Sequence, residues 1–453
     1  MRGLKSTIAL FVVLVGLSAY IYFVTSKQPP KGSETAKERV FAGLTPDKID
    51  EIQVKSESGE TTTLKKVDGA WKMTSPLAVN GDEGDASAIA TNLSSLEVTR
   101  VVDANPSAAD LKEYGLDMPR VEVAFKASSD KAYADLHRVL VGGKSPTGGD
   151  LFIKRDADKR VVLVAGYVDA IFNRTTFDLR EKLLIKFDRE KADRITQVAD
   201  GKTLEFAKSG SDWSVTKPVA LGADFSAVDS LVGRLLTAAM KSLVTEQATP
   251  ADLKKYGFDK PQGSLTVHAG EATVSLIIGG KVNDFDVYVR DPATTSIATV
   301  DAAFLKELQK TEDEYRRKEL FTFRGFVGDR LEFTRNGQAT VFEKVKSQDQ
   351  TPDKWRRVSP NPGEPKVVDM ESLIAKLENL RATAFVASTD KTGLDKPELT
   401  ILAKFDEGKK EERVSFVKSG ADVLTAKVGE PGGAKIAMSE FDAAIKALDE
   451  VSK

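Results

Sequence analysis

Histidine is the side chain that most readily exchanges a proton near neutral pH, and this chain has two, His137 and His268. Both lie in strand-like segments, at positions that do not correspond between the repeats described below. A histidine-based metal site or a Ser-His-Asp triad needs partner residues that cluster or recur with the histidine, and the sequence shows no such partners. We therefore expect both histidines to lie at the surface or at the rim of a sheet.

The segment GGKS at residues 142–145 is similar to the end of a phosphate-binding loop. The full motif GxxxxGK[ST] needs a glycine at position 138, which is Arg138, and a helix that opens after the loop. A second copy of the segment, at residues 279–282, reads GGKV. We interpret both segments as hairpin turns. The sequence contains no DxDxDG calcium loop and no cysteine, so it predicts no catalytic, cofactor-binding or metal-binding residue and no enzymatic activity.

Composition favours a folded chain of several domains. The 453 residues are too many for a single core, because a typical domain has about 150. The formal net charge is −2, whereas a nucleic-acid-binding protein usually carries a strongly basic face. We therefore expect no nucleic-acid partner.

The three tryptophans divide the chain evenly. Trp71 and Trp213 are 142 residues apart, and so are Trp213 and Trp355. The period is far longer than the roughly 20–50 residues of solenoid repeats, so each copy should be a domain in its own right. Each tryptophan falls on the third strand of a predicted meander. A tryptophan there is most simply a core residue, and the alternative is a ligand-stacking site.

A second marker follows the same period. The segment DLKEYGLDMP at residues 110–119 recurs as DLKKYGFDKP at residues 252–261, and a shorter version, TDKTGLDKP, ends at Pro397. Ser107 and Thr249 suit the start of a short helix, which the glycine would end in the left-handed conformation before the proline opens a strand. The alternative is a ligand-binding loop. The markers of the repeat are Trp71, Trp213, Trp355, Tyr114, Gly115, Pro119, Tyr256, Gly257, Pro261, Gly393 and Pro397.

The sequence of each repeat predicts the same order of secondary-structure elements. A strand meander is followed by an amphipathic helix, the short helix, a second set of strands and a short terminal helix. Copies one and two then share a basic-acidic connector. The predicted fold class is α+β, with three tandem homologous domains of antiparallel sheet plus helices. The apolar helix positions are Ile89, Leu93 and Leu96, then Val228, Leu231 and Leu235, then Leu373, Leu377 and Leu380.

The N-terminus carries an unbroken apolar run at residues 8–24, preceded by Arg2 and Lys5. Its length favours a transmembrane helix, and we interpret it as an uncleaved signal anchor, with a cleaved signal peptide as the alternative. The positive-inside rule then holds the N-terminus in the cytoplasm and places the residues after about 28 outside the membrane.

The predicted organisation has five parts. A signal anchor at residues 1–27 and a linker at 28–43 precede three α+β repeats, at 44–184, 185–323 and 324–453. We refer to these repeats as repeat 1, repeat 2 and repeat 3. Repeat 3 diverges from the other two.

The combination of anchor, W-x3-5-P, amphipathic helix, D-L-x-x-Y-G-[LF]-D-x-P and paired glycines before an [IV]-x-[IV]-R strand resembles the bacterial DUF4340 family, a domain of unknown function. The match is weaker in repeat 3, where Thr392 replaces the tyrosine. The resemblance implies that the anchor lies in a bacterial inner membrane and that the repeats are periplasmic. It also implies an accessory protein of a gliding-motility-like ABC transporter, with its permease or extracytoplasmic subunits as partners, and no established reaction. The alternative functions are a binding module for cell-envelope polymer, peptide or lipid, which predicts an apolar pocket in at least two repeats, and an envelope hydrolase, which needs clustered acids in a cleft.

Overall fold

The computed structural model describes residues 38–146, 148–346, 353–387 and 393–453. The predicted membrane anchor at residues 8–24 lies outside this part of the chain. No helix among the described residues combines the length and the apolarity that crossing a membrane requires. The chain divides into two compact units, residues 1–182 and residues 183–453. The second unit contains both repeat 2 and repeat 3, and the individual domain bounds remain predictions.

Repeat 1 is built on a nine-stranded antiparallel sheet with the order β4-β3-β2-β1-β6-β7-β8-β9-β5. Its strands are β1 (Glu51–Lys55), β2 (Thr61–Val67), β3 (Ala70–Ser75), β4 (Val79–Asn80), β5 (Arg100–Asp103), β6 (Val121–Lys126), β7 (His137–Lys144), β8 (Asp150–Arg155) and β9 (Val161–Ala165). Its helices are α1 (Glu83–Ser95), α2 (Ala108–Glu113), α3 (Val168–Phe172) and α4 (Thr176–Leu179).

Repeat 2 has the same sheet order, β13-β12-β11-β10-β15-β16-β17-β18-β14. Its strands are β10 (Ala192–Ala199), β11 (Lys202–Ser209), β12 (Asp212–Lys217), β13 (Leu221–Gly222), β14 (Ser242–Thr245), β15 (Gly263–Ala269), β16 (Ala272–Lys281), β17 (Asp286–Arg290) and β18 (Ile297–Asp301). Its helices are α5 (Phe225–Thr237), α6 (Pro250–Lys255), α7 (Ala302–Leu308) and α8 (Glu312–Tyr315).

Repeat 3 keeps this order in eight strands, β21-β20-β19-β23-β24-β25-β26-β22. Its strands are β19 (Gly328–Arg335), β20 (Gln338–Val345), β21 (Lys354–Ser359), β22 (Ala384–Val386), β23 (Leu399–Phe405), β24 (Lys410–Ser419), β25 (Asp422–Lys427) and β26 (Gly433–Ala437). Its helices are α9 (Val367–Glu378) and α10 (Met438–Val451). The α+β class with three antiparallel sheets is therefore as predicted.

The long helix of each repeat covers one face of its sheet and closes the main core. The apolar positions predicted on α1, α5 and α9 are buried, because their three-to-four spacing turns one stripe of each helix toward the strands. Asp82 and Asp224 cap α1 and α5 by accepting a hydrogen bond from a backbone N–H in the first turn.

Two features of the helices differ from the prediction. The terminal helix of repeat 3 is not short, since α10 runs from Met438 to Val451 and buries Phe441, Ala444 and Leu448 in the core of that repeat. The connectors after repeats 1 and 2 each begin with a one-turn helix, α4 and α8, closed by a capping box. A single turn is too short to show a 3.6-residue apolar period, so the sequence does not reveal it.

Candidate functional site

The three tryptophans occupy the same register but differ in exposure. Trp71 pairs with Lys66 across the sheet, and the pairs Trp213 with Lys208 and Trp355 with Lys344 repeat this arrangement. Trp71 and Trp213 are core residues, 2% and 5% exposed. Trp355 is half-buried and lines a groove. The core interpretation therefore describes repeats 1 and 2, whereas repeat 3 presents its tryptophan at a surface opening.

The groove of repeat 3 has a volume of about 550 Å3 and lies between β21 and α9. Trp355, Met370 and Ile374 form its apolar part, and Glu364 and Glu371 line its rim. The sequence does not reveal this opening, because each tryptophan falls on the third strand of its predicted meander and the groove depends on residues of other elements.

Exposed apolar side chains surround the groove. Phe326, which lines it, is 80% exposed, and Val367 and Val368 at the start of α9 are also exposed. Contiguous exposed apolar surface with a polar rim is typical of an interaction site in a soluble domain. We refer to the groove together with Phe326, Val367 and Val368 as the Trp355 groove.

Repeat 3 also differs from repeat 2 in the segment that lies beside the long helix. In repeat 2, the Arg189 guanidinium contacts the Asp229 carboxylate at 2.6 Å beside α5. Gly325 of repeat 3 takes the place of Arg189, since each lies five residues before the corresponding arginine on the first strand of its sheet. The backbone N–H of Gly325 donates to the Glu378 carboxylate at 2.6 Å. A Cβ at Gly325 would lie only 2.9 Å from Ile374, so this close approach of chain and helix requires glycine.

The repeated D-L-x-x-Y-G motif forms a helix end that packs on the paired glycines. In repeat 1, Ser107 caps α2 within a capping box, and Gly115 follows the helix with φ of 68°, as predicted. The Gly143 N–H donates to the Tyr114 carbonyl oxygen at 2.9 Å. A Cβ at Gly142 would lie 2.2 Å from that oxygen, so any other residue would separate the two segments.

Repeat 2 reproduces this contact. The Gly280 N–H donates to the Tyr256 carbonyl oxygen at 2.7 Å, and a Cβ at Gly279 would lie 2.4 Å from it. Gly257 has φ of 79°. The interpretation of both GGK segments as hairpin turns is wrong, because they end strands β7 and β16 at a β-bulge. The bulge lets the glycine backbone approach the motif helix, and the turn itself comes later.

The tyrosine rings of the motif cover the outer face of the sheet. Tyr114 stacks on Phe152, with the ring centroids 4.7 Å apart, and contributes to a small second core. Tyr256 packs on Tyr288 at 4.6 Å. Both contacts are aromatic pairs at ordinary core distances, which supports the structural interpretation of the motif over a ligand loop.

Repeat 3 differs from the other repeats on both sides of the contact between the motif helix and the paired glycines. Thr392, outside the described residues, replaces the tyrosine, and Val417 occupies the register position of Gly279. Gly393 keeps a positive φ of 86°. The proline of the motif still opens a strand in every repeat, because the next residue donates a backbone hydrogen bond to the neighbouring strand. The backbone N–H of the residue after Pro119, Pro261 or Pro397 is the donor, and a backbone carbonyl oxygen accepts. The bonds run from Arg120 to Val141, from Gln262 to Ile278 and from Glu398 to Phe416.

The histidines are placed as expected. His137 lies at the rim of an aromatic group, with its ring 5.1 Å from that of Tyr133, and His268 pairs with the Thr273 hydroxyl at 3.0 Å. Both are partly exposed. Among the described residues, no group of His, Cys, Asp and Glu is arranged to hold a metal ion.

A model of a protein family, described as a domain of unknown function (DUF4340), matches the chain twice, at residues 71–214 and 213–397. The chain belongs to the DUF4340 family. The DUF4340 matches begin at Trp71 and at Trp213, so each runs from the third strand of one sheet into the next sheet. The second DUF4340 match ends at the motif proline Pro397. No curated protein matches the chain.

Proposed function

We propose that this DUF4340 protein is a membrane-anchored extracytoplasmic accessory or scaffold protein of a gliding-motility-like ABC transport system. The apolar run at residues 8–24, with Arg2 and Lys5 before it, supports the anchor and the outward orientation of the repeats. The Trp355 groove is the observation that carries the scaffold role, because it is the place where this protein would hold a transporter subunit.

The groove has the composition of a protein-binding surface. Its apolar centre contains a tryptophan, a residue type enriched at the energetic centres of interfaces. The groove is lined by four acidic and two basic residues, an excess of two negative charges. They are Asp353, Glu364, Glu371, Glu378, Lys344 and Lys354. The surface therefore suits a partner segment that places an apolar side chain between β21 and α9 and a basic one against the rim.

Affinity purification of the full chain from native membranes in mild detergent tests the proposal. The permease and the extracytoplasmic subunits of an ABC transporter should co-purify with the wild type. Phe326→Ser should reduce them strongly, since it removes apolar surface at the groove. Phe285→Ser is the matched control, because Phe285 is 74% exposed but lies in repeat 2. Equal recovery with Phe326→Ser, or no transporter subunit with the wild type, would contradict the scaffold role.

A cell-envelope ligand-binding module is the second candidate, favoured by the size of the same groove. Pockets for small ligands commonly enclose about 300–1,000 Å3, and the groove is within that range. Native mass spectrometry of the full chain would then show a bound polymer fragment, peptide or lipid that is lost from Trp355→Ala. A partner subunit without any such adduct would favour the scaffold role.

A further inference from the structure

Repeat 2 contains a second cavity, separate from the Trp355 groove. It encloses about 560 Å3 between the β10–β11 hairpin and the link from α7 to α8. Gln197 lines it from β10 and lies on the same face of that strand as the buried residues Ile195 and Ala199. Gln197 is 1% exposed, yet neither its amide oxygen nor its amide nitrogen completes a hydrogen bond within the described part of the chain.

The polar groups beside Gln197 are committed to one another. The Tyr315 hydroxyl donates to the Glu307 carboxylate at 3.0 Å, and Lys310 and Arg234 contact the same carboxylate at 2.6 and 3.1 Å. Burial and the Glu307 charge raise the pKa of Tyr315 well above its usual range, so the hydroxyl keeps its proton and continues to donate. The Gln197 amide lies near this hydroxyl and acts to lower the pKa of Tyr315, but it does not reach hydrogen-bond geometry.

This polarity belongs to repeat 2 alone. The residue that corresponds to Gln197 is Val54 in repeat 1 and Phe333 in repeat 3. This follows from the equivalent pairing of β1 with β6, β10 with β15 and β19 with β23. Leu179 of repeat 1 corresponds to Tyr315, because the carbonyl oxygen of each accepts a hydrogen bond from the backbone N–H of the aspartate that caps the long helix. Two core positions that are apolar in repeat 1 are therefore polar in repeat 2, at one place in the fold.

The hairpin and the link are joined by different contacts in repeat 1 and in repeat 2. In repeat 1, the Thr62 and Thr176 hydroxyls hydrogen-bond at 2.8 Å, and the Glu60 carboxylate accepts from the Thr176 N–H at 2.7 Å. In repeat 2, the β10–β11 hairpin and the link from α7 to α8 are joined by Gln309, whose side-chain amide donates to the Asp200 carboxylate at 3.2 Å.

We propose that this cavity binds a small ligand through an amide group, such as a peptide unit, held by the side-chain amide of Gln197. A buried polar group without a partner is costly, and native proteins rarely keep one. A carboxamide offers an acceptor and two donors side by side, and another amide is complementary to that edge. The site is independent of the membrane and transporter roles proposed above, and its occupant is distinct from the partner of the Trp355 groove.

Saturation-transfer NMR on the full chain in detergent, with N-acetylglycinamide as the probe, tests the site. Saturation should reach the probe with the wild type and be about tenfold weaker with Gln197→Leu, which removes both hydrogen-bonding atoms. Gln338→Leu, at an exposed strand position of repeat 3, should behave as the wild type.

Gln197→Leu should fold and keep or raise the melting temperature, because repeats 1 and 3 are apolar at this position. If it does not fold, the near-isosteric Gln197→Met replaces it. No saturation with the wild type would overturn the proposal. Equal saturation in the wild type and Gln197→Leu would also overturn it, since the amide would then be served by water alone.

Discussion

The backbone N–H of Gly280 donates a 2.7 Å hydrogen bond to the carbonyl oxygen of Tyr256, and Gly143 and Tyr114 make the same bond at 2.9 Å in repeat 1. This bond joins two sequence motifs that look unrelated along the chain. The helix that ends at the tyrosine and the strand that ends at the glycine pair form one contact on the outer face of the sheet.

Gly279→Ala should destabilise repeat 2, because its Cβ would lie 2.4 Å from the Tyr256 carbonyl oxygen. We expect a cost of about 1–3 kcal/mol, as for other overpacked sites. Gly233→Ala is the control, since a Cβ there meets nothing within 4 Å in α5, and it should stabilise by roughly 0.5–1 kcal/mol. Hydrogen exchange of repeat 2 peptides in the full chain measures both. Similar protection in the two variants would show that the glycine contact is not needed.

Trp213→Ala should lower the free energy of unfolding of its repeat by about 3–5 kcal/mol, the cost of removing a large buried aromatic side chain. Trp355→Ala should cost clearly less, because its ring is half-buried at the groove. Local hydrogen exchange in the full chain separates the two repeats. An unchanged stability of Trp213→Ala would favour the ligand-stacking interpretation for that residue.

Acidification should open the motif helices. Hydrogen bonds from the Thr249 N–H and hydroxyl hold the pKa of Asp252 below its ordinary value, and the Ser107 hydroxyl and N–H do the same for Asp110. A lowered folded-state pKa stabilises the folded form above the unfolded pKa, and this stabilisation disappears as pH falls through the folded value.

Hydrogen exchange of α6 should therefore accelerate below about pH 4, beyond the intrinsic rate change, in the wild type but not in Asp252→Asn. Asp259→Asn, in the same motif but outside the capping box, should keep the wild-type pH dependence. A wild-type profile in Asp252→Asn would show that this carboxylate is not the titrating group.

The chain should remain in the membrane fraction after salt and carbonate washes, and a phosphatase fused after Lys453 should be active. Both results follow from an anchor at residues 8–24 with Arg2 and Lys5 on its cytoplasmic side. Deleting residues 8–24 should leave the fusion inactive in the cytoplasm. A soluble product beginning near residue 25 would instead identify a cleaved signal peptide.

The sequence predicted what short-range patterns encode. Alternation and turn residues placed Trp71 and Trp213 on the third strand, and the spacing of Leu231 and Leu235 located α5. The capping residues Ser107 and Thr249 lie where the motif placed them. Each of these depends on neighbours within a few residues.

The sequence did not predict features that depend on distant residues. Gly115 and Gly142 are far apart along the chain, so their packing and the bulge at Gly142 could not be inferred from a single copy. Gln197 looks like an ordinary polar strand residue until the register places it inward. The Trp355 groove is lined by Gly325 beside α9, a residue whose neighbours in space belong to a later element.

The shared register of the tryptophans also bears on how such a chain can change its length. Trp71 and Trp213 each face a lysine, Lys66 and Lys208, across an equivalent hairpin. Loss of residues 71–212 by recombination would join the turn after β2 to Trp213, and one hybrid sheet would replace two. Its strand order would be unchanged, because every hydrogen-bonded neighbour has a counterpart in the other repeat. Losing one whole period at this junction would therefore leave a complete strand order and not a fragment of a sheet.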